Sequence, residues 1–177
     1  MENIQNKLKI YFFGGAQGVG KTTLLKKISA EKKIPLINTG SYFSNDESIE
    51  ISKQRFVKDI LSYSEKIIID GHYVGFKYLN NSIEFEKGLS DDELNILINN
   101  SAIILILIDL NSFELTKRRK FDSKNRQKDI VNVSKELHLS RTYFYKYCNF
   151  TNQFGKVIYN YQFNAAFLEI NDLINKN

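Results

Sequence analysis

The chain has 177 residues, a formal charge of +5 and a single cysteine, Cys148. That length suits one domain with a full-sized core, and one cysteine excludes an internal disulfide or a cysteine-based zinc site. The longest apolar run, Ala102 to Ile108, is far short of a membrane span, and the first residues lack a charged-then-apolar leader pattern, so cytoplasmic residence without membrane contact is expected.

The apolar run Leu8–Phe13 reads as a first strand. It leads into Gly15-Ala16-Gln17-Gly18-Val19-Gly20-Lys21-Thr22, and the helix-compatible stretch Lys21–Lys32 follows. This is a phosphate-binding loop in the strand–loop–helix setting that gives it meaning. Glycines let successive backbone N–H groups converge on phosphate oxygens, and the helix N-terminus adds partial positive charge. Lys21 is expected to reach the β- and γ-phosphates and Thr22 to hold Mg²⁺, with Thr23 beside them, so the implied ligands are ATP and Mg²⁺.

Ile34–Asn38 reads as a second strand, followed by the small residues Thr39-Gly40-Ser41, where backbone can approach a ligand. Ile49, Phe56, Val57, Ile60 and Leu61 mark the buried face of a second helix, which also carries Arg55, a candidate bidentate clamp for an acceptor phosphate. A third strand, Lys66–Asp70, ends in Asp70-Gly71-His72. Asp70 is placed to orient Mg²⁺ through water, and His72 stands beside it at the substrate rim. Gly71 occupies the position where a hydrolase carries a second carboxylate, and an Asn-Lys-x-Asp guanine reader is absent, so neither a dedicated hydrolase nor a GTPase is expected.

Ser90-Asp91-Asp92-Glu93 opens a further helix, since Ser caps well and acids complement the dipole. Ala102–Ile108 is a fourth strand, and a helical Phe113–Arg119 follows. From Lys117 to Lys128 the chain carries seven Lys/Arg residues against one Asp. Arg118, Arg119 and Arg126 on a mobile segment would neutralise the transferring group and exclude water, with Arg141 as a further contributor. A nucleic-acid patch is the alternative for this run, with the Tyr143–Phe150 aromatics as stacking partners. At helical spacing those aromatics read first as core, and Cys148 and His138 as packed residues. Lys156–Tyr159 is a fifth strand, and Phe163, Ala166, Phe167, Ile170 and Leu173 form the stripe of a last helix.

Alternating strands and helices, with strands too apolar for a one-sided sheet, imply an α/β chain: a three-layer P-loop NTPase fold with a five-stranded parallel sheet flanked by helices and a short lid. The whole of 1–177 reads as one domain, with an acceptor-binding segment at 38–62 and the lid at 117–130.

Taken in order, these residues resemble nucleoside monophosphate kinases, most closely the small adenylate-kinase-like branch typical of archaea and eukaryotic nuclei. The resemblance rests on Gly15–Thr22, Thr39-Gly40, Ile69-Asp70-Gly71-His72, Gly88-Leu89-Ser90 and Arg118-Arg119-x-x-Asp122-x-x-x-Arg126. It continues through Arg141 and Val157-Ile158-Tyr159-Asn160 to an Ala-containing last helix. It implies transfer of the γ-phosphoryl of MgATP to AMP or a related monophosphate. Gly15–Thr22 would hold ATP, Thr39, Gly40 and Arg55 would face the acceptor, Arg118, Arg119 and Arg126 would form the lid, and the loop at Asn160 would pack near adenine. Two departures, Ser41 for an acid and Tyr73–Tyr78 for a glycine- and proline-rich loop, both fall on the acceptor side. They leave open another monophosphate or a hydroxyl-bearing acceptor, for which Asp70 would orient the hydroxyl and take its proton. An ATP-dependent RNA-associated protein and a regulatory ATPase are the readings from other classes.

Overall fold

The computed structural model describes residues 7–42, 48–79, 82–124 and 126–177. Positions 43–47 of the expected acceptor segment and Asn125 of the expected lid lie outside the described residues. Strands β1 (Leu8–Gly14), β2 (Leu36–Asn38), β3 (Lys66–Asp70), β6 (Ser101–Asp109) and β7 (Lys156–Tyr159) form one five-stranded sheet in the order β2-β3-β1-β6-β7. Every pairing is parallel. The phosphate-loop strand β1 is central, with Phe13 in register with Asp70 of β3 and Gly14 with Leu107 of β6. That register sets the Asp70 carboxylate at the C-terminal rim, beside the loop that leaves β1.

Side-chain alternation along β1 divides the core between the two faces of the sheet. Tyr11 and Phe13 pack with Leu24, Leu25 and Ile28 of α1 (Lys21–Lys32) and with Phe167 and Ile170 of α6 (Phe163–Lys176). Ile10 and Phe12 pack with Phe56 and Ile60 of α2 (Ile49–Leu61), Leu94 and Leu97 of α3 (Asp91–Asn100), and Phe144 and Tyr147 of α5 (Ile130–Thr151). The short helix α4 (Ser112–Lys120) adds Leu115 to the first of these clusters. Both faces are covered, which is the three-layer architecture expected. The α3 start is a complete capping box: Ser90 accepts from Glu93 N at 3.3 Å, and the Glu93 carboxylate accepts from Ser90 N at 2.7 Å.

Three local expectations are corrected. Strand β2 begins at Leu36, because Ile34 N–H closes the end of α1 on Ser29 O and Pro35 has no N–H to give a ladder; only the Pro35 carbonyl joins, accepting from Ile68. Ile49 is half exposed rather than core, as it sits in the first turn of α2, ahead of the buried Ser52, Phe56, Val57 and Ile60. The stretch after β3 is not a loop: Val74–Leu79 (β4) and Ser82–Lys87 (β5) pair antiparallel, with Phe76 opposite Phe85. Period-two alternation through Val74, Phe76, Tyr78 and then Ile83, Phe85, around Asn80-Asn81, was the signal for this hairpin.

Candidate active site

The loop between β1 and α1 is shaped by glycines with no substitute. Gly15 (φ +140°) and Gly20 (φ +91°) adopt backbone conformations that L side chains rarely reach. A Cβ on Gly15 would lie 2.3 Å from Ile108 O, and one on Gly20 would lie 2.5 Å from Asn160 Nδ2. Gly20 is the N-cap of α1, so the first turn of that helix begins inside the loop. Lys21 is buried, and its ammonium donates to Gly15 O at 2.9 Å and Ala16 O at 3.5 Å. It folds back over the loop that a triphosphate would occupy. Burial, opposed by the Asp70 carboxylate and reinforced by nearby Arg126 and Arg119, pulls its pKa down to about 8. A lysine held below its ordinary range among other cations marks a site that gains from an incoming anion.

Thr22 Oγ1 donates to Asp70 Oδ2 at 2.5 Å, joining α1 to the end of β3. His72 lies next to them, its Nδ1 2.9 Å from Gly15 O. The Lys21 charge, with burial added, holds His72 down to about 3. The imidazole is therefore neutral, Nδ1–H donates to the Gly15 carbonyl, and Nε2 is left as an acceptor.

The three arginines expected in the lid take three different positions. Arg119 is 1% exposed, and all five of its N–H donors land on protein oxygens. Nε and Nη2 bind Gln17 O at 3.0 and 2.7 Å, Nη1 binds Gln127 O at 3.0 Å, and the fork meets both Glu136 oxygens at 3.1 and 2.5 Å. Desolvation pushes Glu136 up to about 7 and Arg119 down to about 10, and the bidentate contact offsets both costs. Arg118 reaches Val19 O at 3.3 Å and the main-chain oxygens of Asn160 and Tyr161. Asn160 itself donates to Val19 O at 2.7 Å, and its Oδ1 is buried without a partner among the described residues. Arg118, Arg119 and Asn160 thus clamp the loop through its carbonyls. Arg126 alone of the three lines the cleft, paired with Asp122.

That cleft has a volume of about 610 Å³, and its walls include Gly18, Lys21, Thr22, Thr23, Asp70 and Arg126. A second cleft of about 380 Å³ adjoins it, walled by Phe12, Thr39, Ile49, Lys53, Glu86 and Leu89. Gln17, Gly40 and His72 line both. Thr39 is set by its hydroxyl donating to Asp70 O at 3.3 Å, and the turn at Gly40 by its N–H on Asn38 Oδ1 at 2.8 Å.

Two expected acceptor residues lie elsewhere. Arg55 faces Tyr42, with its guanidinium 5.8 Å from the ring centroid and a 3.5 Å contact to Tyr42 O. Arg141 binds Asp109 Oδ2 at 2.7 Å and Leu110 O at 2.9 Å, fixing α5 to the end of β6. Sequence reasoning missed Phe12, Ile49, Lys53, Glu86 and Leu89 as cleft walls. Lys53 was accessible, since it stands four residues after Ile49 and so shares its helix face.

No protein-family model matches the chain, and no curated protein matches it. Solved structures do. Shikimate kinase from Bacteroides thetaiotaomicron aligns with a TM-score of 0.55 at 13% identity, over 94% of this chain and 98% of its own. The YorR protein of Bacillus subtilis, in complex with phosphorylated GDP, aligns with a TM-score of 0.63 at 13% identity, over 94% of this chain and 95% of its own. The chain shares their fold. Within that fold the glycine-shaped loop, Lys21 and the Thr22–Asp70 contact lie together at the C-terminal rim of the sheet, where ligands of open α/β sheets collect. Among the described residues, no helix is long and apolar enough to cross a membrane.

Proposed function

We propose that the chain is a MgATP-dependent phosphotransferase whose acceptor is a small molecule, in first place a nucleoside monophosphate of the AMP type, as in an adenylate-kinase-like enzyme. The observation carrying this reading is the meeting of the two clefts across Gln17, Gly40 and His72. A donor on the phosphate loop and an acceptor against Phe12 and Leu89 would face each other there with water displaced. Two neighbours in fold support this reading by name: one is a shikimate kinase, and the other was solved with phosphorylated GDP.

The residues fit both ligands. A cradle that side chains would fill, with a buried lysine whose hydrogen-bond partners among the described residues are carbonyls, suits a triphosphate. One hydroxyl and one carboxylate, without a cluster of three His, Cys, Asp or Glu side chains among the described residues, is the partial set Mg²⁺ takes beside phosphate oxygens and water. Thr22 and Asp70 would hold Mg²⁺, which would supply charge neutralisation at the triphosphate. In transfer, the acceptor oxygen forms a bond to the γ-phosphorus as the bridging oxygen leaves with its electron pair on ADP. Lys21 moves its N–H donors from Gly15 O to the phosphates, and Arg126, released from Asp122, covers the equatorial oxygens. Arg119, with no donor to spare, positions the loop through Gln17. Arg118 and Asn160 do the same through Val19.

A hydroxyl-bearing acceptor is the second reading, and His72 favours it. Its Nε2 lone pair would accept from a hydroxyl but would repel an ionised phosphate oxygen. The cleft's lysines are also already paired, Lys53 with Glu86 at 3.4 Å and Lys87 with Asp91. In that case the hydroxyl proton passes to Asp70 as the bond to phosphorus forms, with His72 orienting the hydroxyl.

The test is incubation with MgATP and each of AMP, CMP, UMP, GMP and their deoxy forms, against a no-acceptor control, with Lys21→Ala in parallel. A new diphosphate, absent with Lys21→Ala, is the expected result. ADP release unaffected by every monophosphate would overturn the nucleotide reading, and sugar and hydroxy-acid acceptors would then decide the second. Transfer undiminished in Lys21→Ala would overturn the site itself.

A further inference from the structure

The rim opposite the phosphate loop holds a groove of about 930 Å³ whose walls include Lys7, Lys9, Lys32, Lys33 and Lys66 against a single acid, Glu65. These lysines arrive from three elements: the start of β1, the end of α1 and the start of β3. Lys9 and Lys66 are register partners on adjacent parallel strands, so their side chains emerge on the same face of the sheet. Like charges so placed repel. Seven cations outside the groove, Lys27, Lys53, Lys87, Arg119, Arg126, Arg141 and Lys156, each meet a carboxylate. Among the described residues, none of the five groove lysines meets an Asp or Glu side chain. Lys7 donates to Ile98 O and Lys32 to Asn175 Oδ1, both neutral amide oxygens, and Lys9 donates to a main-chain oxygen of Asn177.

Lys32 and Lys33 complement the dipole at the α1 C-terminus, which accounts for their presence but not for Lys9 and Lys66. Lys33 further occupies a left-handed cap position (φ 55°) where glycine is the favoured residue. The wall also holds the apolar Ile34, Pro35 and Ile174, the exposed Tyr63, and the neutral polar Ser64 and Asn175. The groove is concave, which suits a strand and not the flat face of a bilayer. Phosphates on lysines with a base on an aromatic ring is the arrangement by which single strands are held without sequence readout.

From this geometry we infer a second ligand site, for single-stranded nucleic acid, in the groove of Lys7, Lys9, Lys33, Lys66 and Tyr63. It is separate from the transfer clefts by the full height of the sheet. In the basic segment 117–128, the other candidate for nucleic acid, Arg118 and Arg119 are spent on loop carbonyls and Glu136, which leaves its exposed lysines as the competing site. The inference is independent of the acceptor's identity.

The test is fluorescence anisotropy of a labelled 12-mer of uridylate, titrated with the full chain from low to high salt. Binding should weaken linearly in log–log form, and Lys9→Glu/Lys66→Glu should weaken it at least about tenfold and flatten the slope by about 1.4, two phosphate contacts at 0.7 each. Lys9→Gln/Lys66→Gln gives the same direction if charge reversal disturbs folding, and circular dichroism checks both. Tyr63→Ala should weaken the oligonucleotide more than inorganic polyphosphate. ATP turnover should be unchanged in all of these variants. No binding at low salt would overturn the inference. So would binding insensitive to the groove variants but lost in Lys117→Glu/Lys120→Glu/Lys124→Glu. Equal loss of polyphosphate and oligonucleotide in Tyr63→Ala, or groove-dependent capture of phosphatidylserine vesicles without oligonucleotide binding, would overturn nucleic acid as the ligand.

Discussion

The two clefts that meet at His72 are built by different means. On the side proposed for the triphosphate, backbone would do the recognising and side chains hold the backbone: Arg118 and Asn160 grip Val19 O, Arg119 grips Gln17 O, and His72 and Lys21 grip Gly15 O. On the acceptor side, side chains form the walls, and several are partly free to move. Ile49 is half exposed in the first turn of α2, and Lys53 meets Glu86 across solvent, where such a pair contributes little to stability. A triphosphate presents the same oxygens in every case, so a rigid cradle costs nothing in versatility. Acceptor selectivity lies instead in pocket shape and a few polar contacts, and those sit on α2 and the β4–β5 hairpin. Variants on the two sides should therefore fail differently.

The largest effect is expected from Arg119→Met. It leaves Glu136 as an uncompensated buried carboxylate, at a cost of about 3–5 kcal/mol, or a fall in Tm of about 6–20 °C for a chain of this size. Arg119→Met/Glu136→Leu should recover much of that Tm, since an apolar pair of similar volume replaces the ion pair. Phosphoryl transfer should stay low, because Gln17 O has lost two donors. Recovery of both Tm and transfer in the double variant would reduce Arg119 to packing and erase the contrast between a held loop and open walls.

Lys21→Ala should lower transfer by about 10²–10³-fold, the scale for losing a preorganised charge-stabilising donor, while the far-ultraviolet spectrum is unchanged. The position of Lys21 also sets a pH dependence. With its pKa pulled to about 8, the empty site loses the ammonium as pH rises through that value. A bound triphosphate favours the charged form and raises the pKa again, so binding takes up a proton above about pH 8 and affinity declines as pH rises. Calorimetry of ATP binding at pH 8.5 in buffers of different ionisation enthalpy measures this directly. A buffer-independent heat would mean that Lys21 keeps its proton without the ligand.

The same contrast explains what could be read from sequence. The five strands, the loop and the Thr22–Asp70 contact were legible because each depends on local pattern: apolar runs, glycine spacing, an acid at a strand end. The holding residues were not. Glu136 stands in the middle of an ordinary helical stretch, and nothing local ties it to Arg119, seventeen positions earlier. Arg118, Arg119 and Arg126 look alike in sequence, and only the path of α4 sends two of them under the loop and one into the cleft. The hairpin at Val74–Lys87 had a readable alternation, but a family resemblance that supplies a loop there outweighs so short a pattern.

Lys53→Ala sharpens the comparison from the other side. It should raise the acceptor KM by about tenfold, near 1.4 kcal/mol, with the ATP KM and kcat unchanged. Stability should shift little, because the Glu86 partner is exposed and readily solvated. Equal rises in both KM values would show that the clefts respond as one, and the acceptor assignment of α2 would fall with it.

The smallest effect belongs to Tyr78→Phe, which tests whether the two sides are joined. The Tyr78 hydroxyl donates to Glu136 Oε1, so a hairpin beside the acceptor cleft touches the ion pair that holds Gln17. Glu136 keeps both Arg119 donors when the hydroxyl is removed, so the loss should fall at or below the usual net value of about 0.5–1.5 kcal/mol. Where that loss appears is more informative than its size. If Glu136 is held mainly by Arg119, amide exchange should quicken across β4 and β5 and leave residues 15–22 protected, and only the acceptor KM should move. Faster exchange in the phosphate loop as well, with a higher ATP KM, would make the Tyr78–Glu136–Arg119–Gln17 chain a mechanical link, through which closing the acceptor side tightens the triphosphate side.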